Sequence, residues 1–446
     1  MIQRLKLKSK FSRNVLILMT GSTIAQAILI AISPILTRIY SPEDFGVLAL
    51  FIAISAIFST IANGKYDLAI MLPEKDEDAV NILALGFIIN SIVSLTLLVI
   101  ILLYGEHITL LLNDKEIGHW IYLTPISVFL LGIWDMLSYF NNRKKQYKIL
   151  SNVTIIRSIL LASFQLIIGF FQSGPAGLIG GSLFSQALAN LSLIRRLASD
   201  KVLFSHITAA KIITLAKRYS HFPKFTMWSG LLNIASLQIP VILLGLFFSA
   251  TIVGLFSLSH RVISIPMSVM GSSVSQVFYQ RSVEIKNNKK ELENLTVKTY
   301  KKLIQVGVAP FSIILVFGDL IFAFVFGSEW RIAGEYAQIL SLWILLVFIT
   351  SPLATLMLTL EKQKEVLYFN VSIFISRILS IAYGGFILKD AYQTILIFSV
   401  VGIIFFLFWI KYIMHLVSVN STTIALFAIK YFLPVVGVLF FIRILL

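Results

Sequence analysis

Apolar residues run along this chain in thirteen long stretches, broken only by short polar gaps. They cover 14–39, 45–72, 79–104, 118–141, 150–171, 175–197, 222–248, 252–282, 300–326, 335–360, 366–388, 391–414 and 424–445. About 20 apolar residues cross a bilayer as a helix. Lipid offers the backbone no hydrogen-bond partners, so this pattern predicts an all-α integral membrane protein. No gap reaches the roughly 50 residues of a small soluble domain. That excludes a catalytic or nucleotide-binding domain outside the membrane.

Composition agrees. Hydrophobic residues make up 58% of the chain and charged residues 13%, against about a quarter charged in soluble domains. The absence of cysteine excludes disulfides and thiolate metal sites. Histidines are scattered without metal-ligand spacing, and no Walker A loop, HExxH or nucleophile elbow occurs. We therefore expect no metal, no cofactor and no catalytic residue.

A net charge of +16 could suggest nucleic acid, but its placement argues against that partner. Of 37 Lys and Arg residues, 27 lie at the N-terminal end or in and beside the even-numbered gaps, and only 5 lie in or beside the other gaps and at the C-terminal end. This is the positive-inside pattern and puts the N-terminus in the cytoplasm. The basic loops set topology and touch anionic lipid heads. A bacterial inner (cytoplasmic) membrane is the expected location. The first stretch has a basic head (Arg4, Lys6, Lys8, Lys10, Arg13) and an A-x-A pattern at 25–27. Its apolar run continues to Leu36, so it reads as an uncleaved helix rather than a signal peptide.

The chain also reads as a duplication. Tyr40-Ser41 before Gly46-Val47-Leu48 reappears as Phe248-Ser249 before Gly254-Leu255-Phe256. Six spans per copy means both copies enter the membrane in the same direction, a parallel repeat. The expected organisation is an N-terminal lobe over 1–197 and a cytoplasmic amphipathic linker over 198–221. A C-terminal lobe over 222–414 and an extra helix within 415–446 follow. Two such lobes would enclose a central cleft. Gly177 and Gly181 form a GxxxG pair, which reads as close packing within the chain rather than as a dimer contact.

Ionisable residues inside spans are functional candidates. Here they are Lys65, Asp67, Asp135, Arg157, Arg261, Asp319, Arg377 and Lys430. Asp319 and Lys430 lie near span ends, where snorkelling explains them. Lys65 and Asp67 point about 200° apart on a regular helix. Either they serve different faces, or Asn63-Gly64 breaks the helix, as transporter sites often do. Bases outnumber acids, and a cationic cleft wants an anionic substrate. Arginine's planar fork suits phosphate oxygens. Arg261, Arg157, Arg377 and Lys65 are the candidates for anion contact. Asp67 and Asp135 are candidates for coupling to H+ or Na+.

Several segments resemble one family. Leu36-Thr37-Arg38-Ile39-Tyr40-Ser41-Pro42-Glu43-Asp44-Phe45-Gly46 is similar to the turn after the first helix of Wzx-type lipid-linked oligosaccharide flippases of the MOP/MATE superfamily. Gly64-Lys65-Tyr66-Asp67-Leu68-Ala69-Ile70 resembles that family's basic–Tyr–acidic–x–Ala–Ile segment, which more often has Arg where Lys65 stands. Tyr219-Ser220-His221-Phe222-Pro223, the stretch Ser273 to Arg281, and Phe326-Gly327-Ser328-Glu329-Trp330-Arg331 match as well. The resemblance implies two six-helix lobes, alternating access and no enzymatic activity. It implies flipping of an undecaprenyl-diphosphate-linked oligosaccharide to the periplasmic leaflet, for surface polysaccharide (O-antigen-like) assembly. Its partners would be that substrate, membrane lipids and other polysaccharide-assembly proteins. The alternatives are a MATE-like multidrug antiporter, which would want an acid-lined cleft, and a membrane-embedded polysaccharide polymerase or glycosyltransferase. The latter would want a long periplasmic loop or an exposed acidic motif.

Overall fold

The structure is a computed structural model that describes residues 10–111, 115–171, 174–197, 204–267 and 271–445. The basic residues Arg4, Lys6 and Lys8 and the start of the linker, 198–203, lie outside the described residues. Nearly all described residues are helical, and no strand occurs among them.

The helices are α1 Lys10–Ile39, α2 Pro42–Ala62, α3 Tyr66–Ala69, α4 Asp76–Leu111, α5 Lys115–Ile121, α6 Thr124–Arg143, α7 Tyr147–Phe171, α8 Ala176–Leu197 and α9 Ala209–Arg218. Then follow α10 Met227–Phe247, α11 Ala250–Ile263, α12 Ser272–Glu284, α13 Lys289–Phe326, α14 Arg331–Leu353, α15 Leu356–Thr359, α16 Gln363–Tyr383, α17 Ala391–Leu416 and α18 Ser421–Leu445. Among the described residues eleven helices are long and apolar enough to cross a membrane. The chain is a multi-pass membrane protein. The fourth and eighth expected spans are not among the eleven. The fourth, α6, carries Asp135, Asn141, Asn142 and Arg143. The eighth was expected as one helix over 252–282. Instead α11 ends at Ile263 with a turn at Ser264; residues 265–267 are helical again, and α12 begins at Ser272.

The chain divides into two compact units, residues 1–246 and 247–446. In the first, α4 packs on α6, α2 on α6, α6 on α8 and α7 on α8. In the second, α13 packs on α14, α11 on α14, α14 on α17 and α16 on α17. These are the same four neighbour pairs, counted span by span. Local geometry repeats too. Ser41 and Ser249 are both N-caps whose side chains accept from the amide three residues on, Asp44 and Ile252. The turn after α6 and the turn after α15 each carry a left-handed residue, Lys145 (φ 56°) and Glu361 (φ 58°). Each turn closes with an amide bonding back five residues, Gln146 to Asn141 and Lys362 to Met357. Such closure satisfies orphan carbonyls at a helix end.

The GxxxG glycines serve contacts within the first unit. A Cβ on Gly177 would collide with the Tyr40 hydroxyl, and one on Gly181 would crowd Gln165 at 3.0 Å. Tyr40 donates to the Gln165 carbonyl at 2.6 Å. Burial, with Asp44 nearby, pushes the Tyr40 phenol up to about 12. It therefore remains a donor across the physiological range. Gly177→Leu should lower the amount of folded protein severely, because overpacking costs about 1–3 kcal/mol and the Tyr40 bond is lost with it. Wild-type melting behaviour of the detergent-solubilised variant would contradict this.

The linker helix α9 is fastened to the first unit. Asn81 donates to the His206 carbonyl at 2.9 Å and accepts from the Thr208 amide at 3.0 Å. Lys211 pairs with Glu77 at 3.1 Å, and Tyr66 donates to the Ala216 carbonyl at 3.0 Å. Leu215 and Tyr219 pack into a cluster with Ile70, Val80 and Leu83. Part of the apolar face is thus buried against protein while Ile213 stays exposed, and Lys217 and Arg218 sit in the last turn, where the helix dipole favours cations.

Candidate functional site

In the first unit the second span stops at Ala62. Asn63 caps it, and its side chain donates to the Gly132 carbonyl of α6 at 3.0 Å. Gly64 (φ 56°) and Lys65 (φ 59°) are both left-handed, so the helix cannot continue. The break option at Asn63-Gly64 is the one realised. The chain resumes as α3, which carries Asp67. The Lys65 stem lies against α10, where a Cβ on Gly230 would stand 3.4 Å from its Cε.

Asp67 is buried, and one carboxylate oxygen has no partner among the described residues. It lies beyond the end of the helix Pro42–Ala62. Lys65 lies within electrostatic reach, and the amides of residues 67 and 68 donate to the Asp67 carboxylate. Asp135 on α6 lies within electrostatic reach of Asp67, Lys65 and Arg157. Tyr139, one turn along α6, lies within electrostatic reach of both acids. Arg157 on α7 stacks over the Trp134 ring at 5.3 Å. The first unit therefore gathers Lys65, Asp67, Asp135 and Arg157 into one cluster of two cations and two acids. That balance was not expected, since counting charges along a sequence does not reveal which ones meet.

The second unit holds a different set. Arg261 sits in the last turn of α11 and is exposed, beside the interruption of the eighth span. No carboxylate pairs with it among the described residues. Arg377 on α16 stacks over the Trp343 ring at 5.6 Å. His260 lies between the Phe256 ring (6.0 Å) and Trp343 (6.0 Å) and feels the Arg377 charge. The sequence reading missed His260 and both tryptophans. The signal available was that each arginine has a tryptophan on the preceding span.

The two stacks use equivalent helices. Measured from the left-handed residues Lys145 and Glu361, Arg377 lies four residues further along its helix than Arg157. Trp343 lies seven residues further back than Trp134. Shifts of one and two turns keep the faces aligned, so the second stack is set deeper, by about 6–10 Å.

Asp319 and Lys430 do not join either cluster. Asp319 is buried under Arg331 (3.4 Å), Arg443 (3.2 Å) and Gln338 (3.1 Å). It ties α13, α14 and α18 together. Lys430 is exposed on α18. No group of His, Asp or Glu residues that could hold a metal occurs among the described residues.

A family model described as polysaccharide biosynthesis protein matches residues 35–335. The chain belongs to this family. The succinoglycan biosynthesis transport protein ExoT of Rhizobium meliloti (strain 1021) is 22% identical over 69% of this chain and 61% of its own length. The probable low-salt glycan biosynthesis flippase Agl15 of Haloferax volcanii (strain ATCC 29605) is 28% identical over 36% of this chain and 37% of its own length. The matches thus span less than two thirds of either relative. Among solved structures, the lipid II flippase MurJ in an inward closed conformation superposes with a TM-score of 0.67, over 95% of this chain and 99% of that one, at 14% identity. An inward-facing multidrug resistance MATE family transporter of the MOP superfamily gives 0.64, over 90% and 96%, also at 14% identity. The fold is like that of these two transporters, and the resemblance drawn from the motifs holds. These relatives and neighbours bear the names of transporters, not of enzymes.

Proposed function

We propose that this protein is a flippase that moves a lipid-linked oligosaccharide from the cytoplasmic to the periplasmic leaflet of a bacterial inner membrane, for surface polysaccharide assembly. One observation carries the reading. Arg261 is an exposed cation within an apolar helical protein, one turn before the helix breaks at Ser264, with no carboxylate paired to it among the described residues. Removing a charge from water is expensive unless a partner compensates. A diphosphate-sugar head group is such a partner, and the guanidinium fork fits its oxygens. The family and the relatives' names support the same substrate class.

In this reading Arg261 and Arg377 contact the anionic head group. Trp343 and His260 supply flat faces beside it. Lys65 and Arg157 hold a balanced cluster with Asp67 and Asp135, whose protonation or Na+ binding couples transport to an ion gradient. Access alternates as the two units move. The positive-inside charge pattern supports a cytoplasmic N-terminus.

A drug antiporter of the MATE kind is the second reading, favoured by the fold and by the acids of the first unit. The two separate in one experiment. A strain lacking this protein should accumulate the lipid-linked intermediate on the cytoplasmic face and keep its drug susceptibility. Normal export together with drug hypersensitivity would refute the flippase reading.

A further inference from the structure

A cavity of about 650 Å³ lies within the second unit, between α13, α14, α17 and α18. Its walls include Ile304, Leu346, Leu407, Ala428 and Leu433, and Lys411 is its one charged lining residue. Ligand sites fall between about 300 and 1,000 Å³.

The cavity follows from how α18 is held. This helix packs along α13 at three levels. Tyr300 donates to the Ile424 carbonyl at 3.4 Å, Gln305 donates to the Tyr431 hydroxyl at 3.1 Å, and Arg443 pairs with Asp319 at 3.2 Å. Helix α17 precedes α18 through a short turn, yet the two barely touch. With α18 fixed to α13, it cannot close on α17. An apolar space this large does not hold water well, and protein interiors do not leave such space unfilled.

Lys411 lies five residues from the end of α17, in the cavity wall. It is exposed and has no carboxylate partner among the described residues. Lys301, over the Phe427 ring at 5.1 Å, stands near the same end of α18. An apolar slot with unneutralised cations at one end is complementary to an amphiphile with an anionic head.

We infer that this cavity holds an anionic glycerophospholipid of the surrounding bilayer, with an acyl chain between α17 and α18 and its phosphate at Lys411. The occupant is a resident lipid rather than the transported one. The inference does not depend on the flippase reading, because it concerns residues on helices other than those of Arg261 and Arg377.

The test uses the full chain, purified in detergent and stripped of lipid. Adding phosphatidylglycerol should raise the melting temperature by about 2 °C or more, with one lipid retained per protein in native mass spectrometry. Phosphatidylcholine should give a smaller shift. Lys411→Gln, at an exposed position, should abolish the difference between the two lipids while leaving the lipid-free protein unchanged. Ala428→Phe should fill the slot and remove binding of both. If Ala428→Phe fails to fold, Leu407→Trp at the exposed mouth gives the same readout. Equal shifts with both lipids in wild-type protein would overturn the proposal. So would retention of undecaprenyl diphosphate alone, which would make the slot part of the transport path.

Discussion

Arg261→Ala is expected to abolish polysaccharide export while leaving the protein in the membrane at near wild-type abundance. The expectation rests on what surrounds the side chain. No carboxylate pairs with Arg261 among the described residues, so removing it strands no buried acid. A hydrogen bond to a charged group is worth about 1.5–3 kcal/mol, roughly ten- to a hundredfold in affinity for a bound head group. Arg261→Lys should retain partial export, since the charge persists without the fork. Export can be followed as surface polysaccharide, and abundance by immunoblot of membranes. Full export by the alanine variant would remove Arg261 from the site. Loss of abundance, restored by removing an acid elsewhere, would make it a structural cation.

Arg157→Ala should behave in the opposite way. Asp135 lies within reach of Arg157, Lys65 and Asp67, so deleting the arginine leaves two acids facing one lysine. Arg157 and Asp135 are both half-buried, and charges coupled in one network interact by about 0.5–3 kcal/mol, enough to lower the amount of folded protein. Asp135→Asn in the same chain should restore abundance, because the stranded charge is gone. Thermal unfolding of the two single variants and the double variant gives the coupling directly. Additive effects would show that the two side chains do not interact. Unchanged abundance in Arg157→Ala would place its role in transport alone.

Much of this architecture is legible in the sequence because the bilayer imposes it. The expected spans 150–171 and 391–414 lie close to Tyr147–Phe171 and Ala391–Leu416. Hydropathy reports what lipid demands of every crossing residue. The two matching turns could be read as well, since Ser41 and Ser249 both cap a helix. The interruption after Ile263 was not legible, since an apolar run reads the same whether its helix is whole or broken. Pro266 was the local hint. The pairing of charges was not legible either. Trp134 and Arg157 are separated by 23 positions and Trp343 and Arg377 by 34, and only tertiary packing brings each pair together. For the same reason Arg157 and Lys65 read as free cations alongside Arg261, although their acids lay elsewhere in the same list.

Lys65 adopts a backbone conformation suited to glycine (φ 59°) directly after Gly64, which also adopts it. A left-handed non-glycine residue costs about 1–2 kcal/mol. Glycine at position 65 would relieve that cost and delete the charge in one step. Selection for thermal robustness and selection for transport therefore pull this position in opposite directions. A laboratory screen that rewards only heat resistance would drift toward glycine at position 65 and collect hardy, idle proteins.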